Sequence, residues 1–258
     1  MNTEIKKILR ALPLADRLRL WKMQRDRFQA FRADFARFTE LSAAHPARFS
    51  VEWEDRKPCL EDNTEFTSFD AHYVFHPAWA ARIVAATRPA KHVDISSSLH
   101  FCTMLSAFTP VEFYDYRPAE LNLSGLTSAR GDLMELPFPD QSVSSISCMH
   151  VVEHIGLGRY GEPLDPAGDL KAMAELQRVV APGGSLLFVT PVGKPRVVFN
   201  AHRIYSTRQV LKSFSELRLA EFALVPDWPR CELVRNAPLE LADSQSYGCG
   251  CFWFQRDE

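Results

Sequence analysis

The chain has no run of about 18 apolar residues, so no stretch of it is long enough to span a bilayer as a helix. It shows no internal repeat. Cysteine is too sparse for a disulfide scaffold: six in 258 residues, with Cys102 and Cys148 inside apolar runs, which points to a reducing, cytoplasmic compartment. The first twenty residues are charged throughout and lack an unbroken apolar core, so they do not read as a secretory signal. Cys249 and Cys251 form a CGC with no second pair at ligand spacing, and no metal is expected from it. No basic patch interleaved with aromatics lies near the polar loop described below, which counts against nucleic acid as a partner.

What is present is the composition of a globular protein, 46% hydrophobic and 24% charged. Charge is uneven along the chain: the first 50 residues carry 11 Lys or Arg against 5 Asp or Glu, although the whole chain has a net charge of -2. Residues 4–42 have helical spacing, with Phe28, Phe31, Phe35, Phe38 and Leu41 as a stripe and Arg25, Arg27, Arg32 and Arg37 between them. Such a basic amphipathic helix either packs on the acidic remainder or contacts an acidic protein or a peripheral membrane surface. Residues 46–70, broken by Pro46 and Pro58, read as a connector or short strands. Division at residue 68 is expected, with 1–68 as a helical extension and connector and 69–258 as the main domain.

From residue 69 the pattern predicts a helix ending before Pro89, then strand HVDIS, helix 99–108, strand VEFYDY, helix 118–124, LTSARGD and strand VSSISC. A helix from DPAGDL to APGG, strand SLLFVTPV, helix 207–216 and strand RLAEFALVP follow, and CGCFWFQR alternates like an edge strand. This alternation implies an α/β, doubly wound, mostly parallel sheet. Residues 143–169 change within a few positions from an apolar strand to a glycine- and proline-broken loop carrying His150, Glu153, His154, Arg159, Tyr160 and Asp165. In such sheets ligands bind beyond the carboxyl ends of the strands, where this loop would lie.

VDISSS after the first strand, FYDY ending the second, GD after the third and RVVAPGGSLLFVTPVG beyond the fourth together resemble class I S-adenosylmethionine-dependent methyltransferases over roughly residues 90–256. HVVEHIGLGRYGEPLD and FNAHRIYS are similar to a small uncharacterised methyltransferase-like family associated with surface polysaccharide genes. The resemblance implies a Rossmann-like fold, S-adenosylmethionine as cofactor and S-adenosylhomocysteine as product. It implies cofactor contacts from Asp94, Ser96, Ser98, Asp115, Tyr116, Asp132, Leu133, Met149 and His150, with Asp115 at the ribose hydroxyls and Asp132 near the adenine. Where that family has glycines after the first acidic residue, this chain has Ser96, Ser97 and Ser98, so hydroxyls would replace bare backbone at the cofactor.

Methyl transfer to a hydroxyl needs alignment and a base. The candidate bases are His154, His150 and His202, with His154 favoured and Glu153 as a further catalytic candidate. Arg159, Tyr160, Asp165, Asn200, Arg203 and Tyr73 are candidates for the acceptor, the two arginines holding a phosphate or carboxylate of a nucleotide sugar, uronic acid or glycan intermediate. Another small molecule as acceptor, and a non-catalytic protein on the same fold, remain open from the residues alone.

Overall fold

The computed structural model describes residues 13–45 and 49–258. Backbone contacts divide the chain into two units, Met1–Ser68 and Phe69–Glu258. Residues 4–12 and Pro46, read above as the start of a helix and a break, lie outside the described residues.

In the first unit, helix α1 (Leu14–Ala43) has no buried side chain. Its phenylalanine stripe finds a partner in Trp53, on the single 3-10 turn Trp53–Asp55: the Trp53 ring lies 6.0 Å from Phe31 and 5.0 Å from Phe35. Arg56 covers the same indole at 4.2 Å, an arrangement that attracts a cation to the ring face. The far end of the stripe, Phe38 and Leu41, remains exposed. No strand forms among the described residues of 46–70.

The second unit is an eight-stranded sheet in the order β3-β2-β1-β4-β5-β10-β8-β9. Strands β1 (His92–Ile95), β2 (Val111–Asp115), β3 (Leu126–Arg130), β4 (Val143–Met149) and β5 (Val180–Val192) pair in parallel. Strand β10 (Gly248–Gln255) runs antiparallel to both β5 and β8 (Arg218–Val225), and β9 (Val234–Arg235) closes the edge. A separate two-stranded ribbon joins β6 (Arg196–Val198) to β7 (His202–Ile204).

Period-two alternation sends Leu186, Phe188, Phe252 and Phe254 into one core, while Leu187, Val189, Cys249 and Cys251 face the other. The second core is covered by α2 (Ala71–Thr87) through Trp79, Ile83 and Val84 and by α3 (Leu99–Leu105). Helix α2 starts on Asp70, whose carboxylate accepts the Tyr73 amide, and stops at Arg88 in a left-handed conformation just before Pro89. The first core is covered by α4 (Gly168–Val179), α5 (Thr207–Ser213), which a Ser206/Gln209 capping box starts, and α6 (Leu239–Asp243).

Two sequence expectations fail. Residues 118–124 are not helical: after Pro118 the chain crosses from β2 to β3 in an extended run, and Leu123 bridges to Leu126 around a turn with Gly125 at φ +77°. The CGCFWFQR segment is not an edge strand. It is inserted between β5 and β8 with both faces covered, which its buried Cys249, Cys251, Phe252 and Phe254 require.

Candidate functional site

The loop between β1 and α3 is built on a buried carboxylate. Asp94 is fully buried in β1; its Oδ1 accepts the Ser97 amide (3.0 Å) and its Oδ2 accepts the Ser147 hydroxyl of β4. Burial pushes the Asp94 carboxyl up to about 6 against the pull of these hydrogen bonds. Ser96 then adopts φ +54°, a torsion glycine takes more readily, while its amide donates to Tyr114 O (2.8 Å) and its hydroxyl to the same oxygen (3.2 Å). Ser97 Oγ accepts the Met149 amide (3.0 Å), tying the loop to the end of β4. Two serines, Ser96 and Ser97, thus hold the turn with hydroxyl bonds at the position where bare glycine backbone was expected.

At the end of β4 the chain turns through His150, at φ +56°, into a 3-10 turn, Val152–His154. This brings four ionisable side chains together. Glu153, 1% exposed, accepts from His150 Nδ1 through Oε1 (2.8 Å) and lies 3.8 Å from His154 Nε2 by the same oxygen. His154 Nδ1 lies 2.6 Å from Ala201 O and 3.2 Å from Arg159 Nη1; the carbonyl can only accept, so the closer contact puts the hydrogen on Nδ1 and, in the neutral ring, the lone pair on Nε2. Arg159 donates to that carbonyl as well (3.0 Å). His202, on β7, stands near the same group, and burial depresses its pKa. Glu153 Oε2 and His150 Nε2 are buried without a partner among the described residues.

The His150 ring turns toward α2. It stacks on His72 and Tyr73, each 5.5 Å away, and meets His76 edge-on at 5.1 Å. Burial, with His150 alongside, lowers His72 to about 4 and His76 well below its usual value, so both imidazoles are neutral near pH 7. Tyr247, just before β10, stacks on His72 (5.2 Å) and packs against His202 (4.8 Å), and burial raises its phenol to about 12.

Gly156 and Asp165 close the base of the following loop: the Asp165 amide donates to Gly156 O (3.0 Å), and a Cβ on Gly156 (φ +77°) would sit 2.0 Å from Asp165 O. Inside it, Glu162 accepts the amides of Gly158 and Tyr160, both at 2.9 Å. The Tyr160 ring lies under Arg117 (5.0 Å) and Arg159 (5.2 Å).

Two cavities result, meeting at Ser96 and Tyr160. The first, about 440 Å³, is lined by Tyr73, Ser96, Ser97, Ser98, Met149, His150, Glu153, His154, Arg159, Tyr160, His202 and Tyr247. The second, about 90 Å³, has the apolar walls Leu133, Val151, Ile155 and Pro163, with Tyr116 and Asp132 at its side. Asp132 Oδ1 accepts the Met134 amide (2.8 Å).

Five candidate residues line neither cavity. Asp94 lies beneath the loop as its anchor. Asp115 ends β2 with Oδ1 accepting the Arg117 amide (2.7 Å). Asp165 is spent on Lys171 (2.7 Å) and the Ala167 amide. Asn200 is exposed. Arg203 is 7% exposed and donates to Ile155 O (2.6 Å) and Pro166 O, with Asp169 3.5 Å from its Nε, so the expected Arg159–Arg203 pair does not form. His150 borders the first cavity, but its ring packs against α2 and away from the apolar second cavity.

Sequence reasoning did not assign Tyr247 or Cys249 to the site. His72 and His76 stand with Tyr73 at the predicted start of a helix, where the sequence offers their polar rings to close over a ligand. Tyr247 and Cys249 reach the site because β10 is inserted beside β5, which no local pattern announces.

A mostly parallel sheet in the order 3-2-1-4-5, followed by one antiparallel strand inserted before the next, is the Rossmann-like fold of class I S-adenosylmethionine-dependent methyltransferases, here with an N-terminal helix. The N-methyltransferase NodS from Bradyrhizobium japonicum WM9, solved in complex with S-adenosylhomocysteine, superposes with a TM-score of 0.52 at 14% identity, over 77% of this chain and 93% of that one. A second structure of NodS from the same strain gives a TM-score of 0.50 at 14% identity, over 73% and 98% of the two chains. A family model described as "Caenorhabditis protein of unknown function, DUF268" matches residues 140–218, the segment that carries the polar loop. No curated protein matches the chain.

Proposed function

We propose that the protein is an S-adenosylmethionine-dependent methyltransferase acting on a hydroxyl of a sugar, nucleotide sugar or glycan intermediate. The observation that carries this reading is the pair of cavities that share Ser96 and Tyr160 in their walls, one apolar-walled and one crowded with proton-accepting groups. The residues fit the cofactor. Leu133, Val151, Ile155 and Pro163 make a slot for an adenine with Asp132 at its edge, Asp115 and Tyr116 stand at the end of β2 for the ribose, and Ser96–Ser98 with Met149 face the amino-acid end. When bound, the cofactor supplies an electrophilic sulfonium methyl.

The chain's own part is alignment and proton removal. His154 Nε2, its lone pair set by the Nδ1–Ala201 bond, would take the proton of the acceptor hydroxyl. Glu153 Oε2, buried and open, accepts a second hydrogen bond from the acceptor. Tyr73 and Tyr247 supply flat walls for a sugar ring, and Arg159 a cation for an anionic substituent. Arg203 has no part in acceptor binding.

Titration calorimetry of S-adenosylmethionine and S-adenosylhomocysteine on wild type, Asp132→Ala and Asp115→Ala tests the cofactor. Absence of binding by wild type removes the enzyme reading and leaves a non-catalytic protein on this fold. Methyl uptake by nucleotide sugars and glycan acceptors, lost in His154→Ala, tests the acceptor and the base. For the first unit, we propose that basic α1 docks on an anionic surface; salt-dependent co-sedimentation with phosphatidylserine vesicles, compared with neutral ones, is the check.

A further inference from the structure

Three ligand-type side chains from distant segments converge at the wall of the first cavity. His72 comes from the first turn of α2, His150 from the end of β4 and Cys249 from β10; one ring nitrogen of each histidine and the Cys249 sulfur all lie within 4.8 Å of one another. We propose that these residues bind one divalent transition-metal ion, with Zn²⁺ the ion their chemistry suits best. This does not rest on the methyl-transfer reading.

The second observation is the His150 ring itself. It is 92% buried, its Nδ1 is held by Glu153 Oε1 at 2.8 Å, and its Nε2 has no partner. A carboxylate on one imidazole nitrogen with the other nitrogen open is how metal-binding histidines are oriented, the carboxylate fixing the tautomer and raising ligand basicity. The backbone supports that orientation at φ +56°, which a residue with a side chain holds only where its surroundings require it.

Cys249 is fully buried, and its one sulfur neighbour is Cys251 Sγ at 3.9 Å, a weak contact that leaves a lone pair for a metal. Two imidazoles and a thiolate suit Zn²⁺, a borderline-soft ion bound tetrahedrally by such sets. Metal–ligand bonds of roughly 2.0–2.3 Å place ligand atoms about 3.5 Å apart, so the trio closes by about 1 Å on binding. Rotation of the His72 ring out of its stack between His150 and Tyr247 supplies that movement. The imidazoles bind neutral and the thiol gives up its proton to solvent, one per ion. Three protein ligands leave a fourth position, beside the cavity that His150 borders.

The test uses the full chain, stripped with a chelator and titrated with Co²⁺ as an optical stand-in. The site predicts one equivalent bound with a sulfur-to-cobalt charge-transfer band in the near ultraviolet, which Zn²⁺ displaces. Cys249→Ser abolishes the band, Cys251→Ser retains it, and His72→Gln weakens affinity about tenfold or more, with circular dichroism confirming each fold. No stoichiometric binding, or a band that persists in Cys249→Ser, overturns the proposal. Should Cys249→Ser fail to fold, unchanged cobalt affinity in His72→Gln overturns it equally. Calorimetry of S-adenosylhomocysteine on the metal-free protein reports separately on the cofactor.

Discussion

Asp94→Asn separates two opposing contributions to pH stability inside the sheet. His92 Nδ1 meets Ser145 Oγ (2.8 Å), its Nε2 meets Ser147 Oγ (2.9 Å), and Ser147 in turn donates to Asp94. With Ser147 donating to the carboxylate, His92 Nε2–H donates to Ser147 and Ser145 donates to Nδ1, a chain that requires a neutral imidazole. Burial lowers His92 from 6.5 to about 3 and raises Asp94 from 3.8 to about 6. A depressed histidine leaves the unfolded chain binding more protons, so its contribution is complete above pH 6.5 and is lost as pH falls toward 3. A raised carboxyl binds its proton more tightly when folded, so its contribution is largest below pH 3.8 and declines as pH rises to 6. At roughly 1.4 kcal/mol per pH unit for each group, the two slopes nearly cancel between about pH 4 and 6. Asparagine at 94 removes the declining part. The stability of Asp94→Asn relative to wild type should therefore rise by about 3 kcal/mol from pH 4 to pH 7, the other carboxylates cancelling in the difference. Urea unfolding of both proteins at half-unit pH steps and constant ionic strength measures it. Parallel curves across that window would refute the reasoning, because the Asp94 pKa would then be the same folded and unfolded.

Further perturbations probe other parts of the site and core. Gly156→Ala meets both a left-handed torsion and a carbonyl 2.0 Å away, so unfolding free energy should drop by about 2 kcal/mol or more with loss of loop protection in hydrogen exchange. Arg203→Met strands the carbonyls of Ile155 and Pro166 and takes the cation from the buried Asp169 carboxylate, which keeps the Tyr205 hydroxyl; thermal denaturation should show a loss of roughly 3 kcal/mol, where an acceptor-binding arginine would show a raised KM with little change in melting. Trp79→Phe removes the buried indole donor to Glu221 Oε1 (2.9 Å) while Arg235 still holds that carboxylate, so the cost by urea unfolding should be only about 1 kcal/mol. Ser96→Gly relieves φ +54° but frees the unfolded chain and loses the bond to Tyr114 O, and stability should move by less than about 1 kcal/mol.

The centre of the parallel half was legible because β1, β4 and β5 are rich in apolar residues, as burial on both faces demands, whereas the edge strand β3 (LTSAR) is mostly polar and exposed. The polar loop was legible for a related reason: Gly156 and Gly158 mark left-handed turns that fold His154, Arg159 and Tyr160 back over the strand ends. Residues 118–124 misled because the strand–helix alternation of a doubly wound sheet calls for a helix between two parallel strands, whereas Pro118 and the Leu123–Leu126 bridge belong to a crossing without one. Arg203 misled because a charged residue near a candidate site reads as a ligand contact, and nothing local says that three backbone and carboxylate oxygens around it need a donor.

The last strand shows the limit most clearly. In CGCFWFQR the alternation is real, yet it places cysteines on one core and phenylalanines on the other, because β10 enters between β5 and β8. That insertion is a long-range event, set by pairing of residues far apart in the chain, and it alone carries Tyr247 and Cys249 to His72 and His150. The same register explains why only one of the two cysteines comes within reach of both histidines. Cys249 and Cys251 share a face, but they stand two residues apart along the strand, and Cys249 is the one nearer the strand end where β4 turns through His150. A one-residue slip of β10 would send Cys249 to the opposite core and leave His150 Nε2 buried with no sulfur beside it, so the sheet register and the cluster of ligand-type side chains stand or fall together.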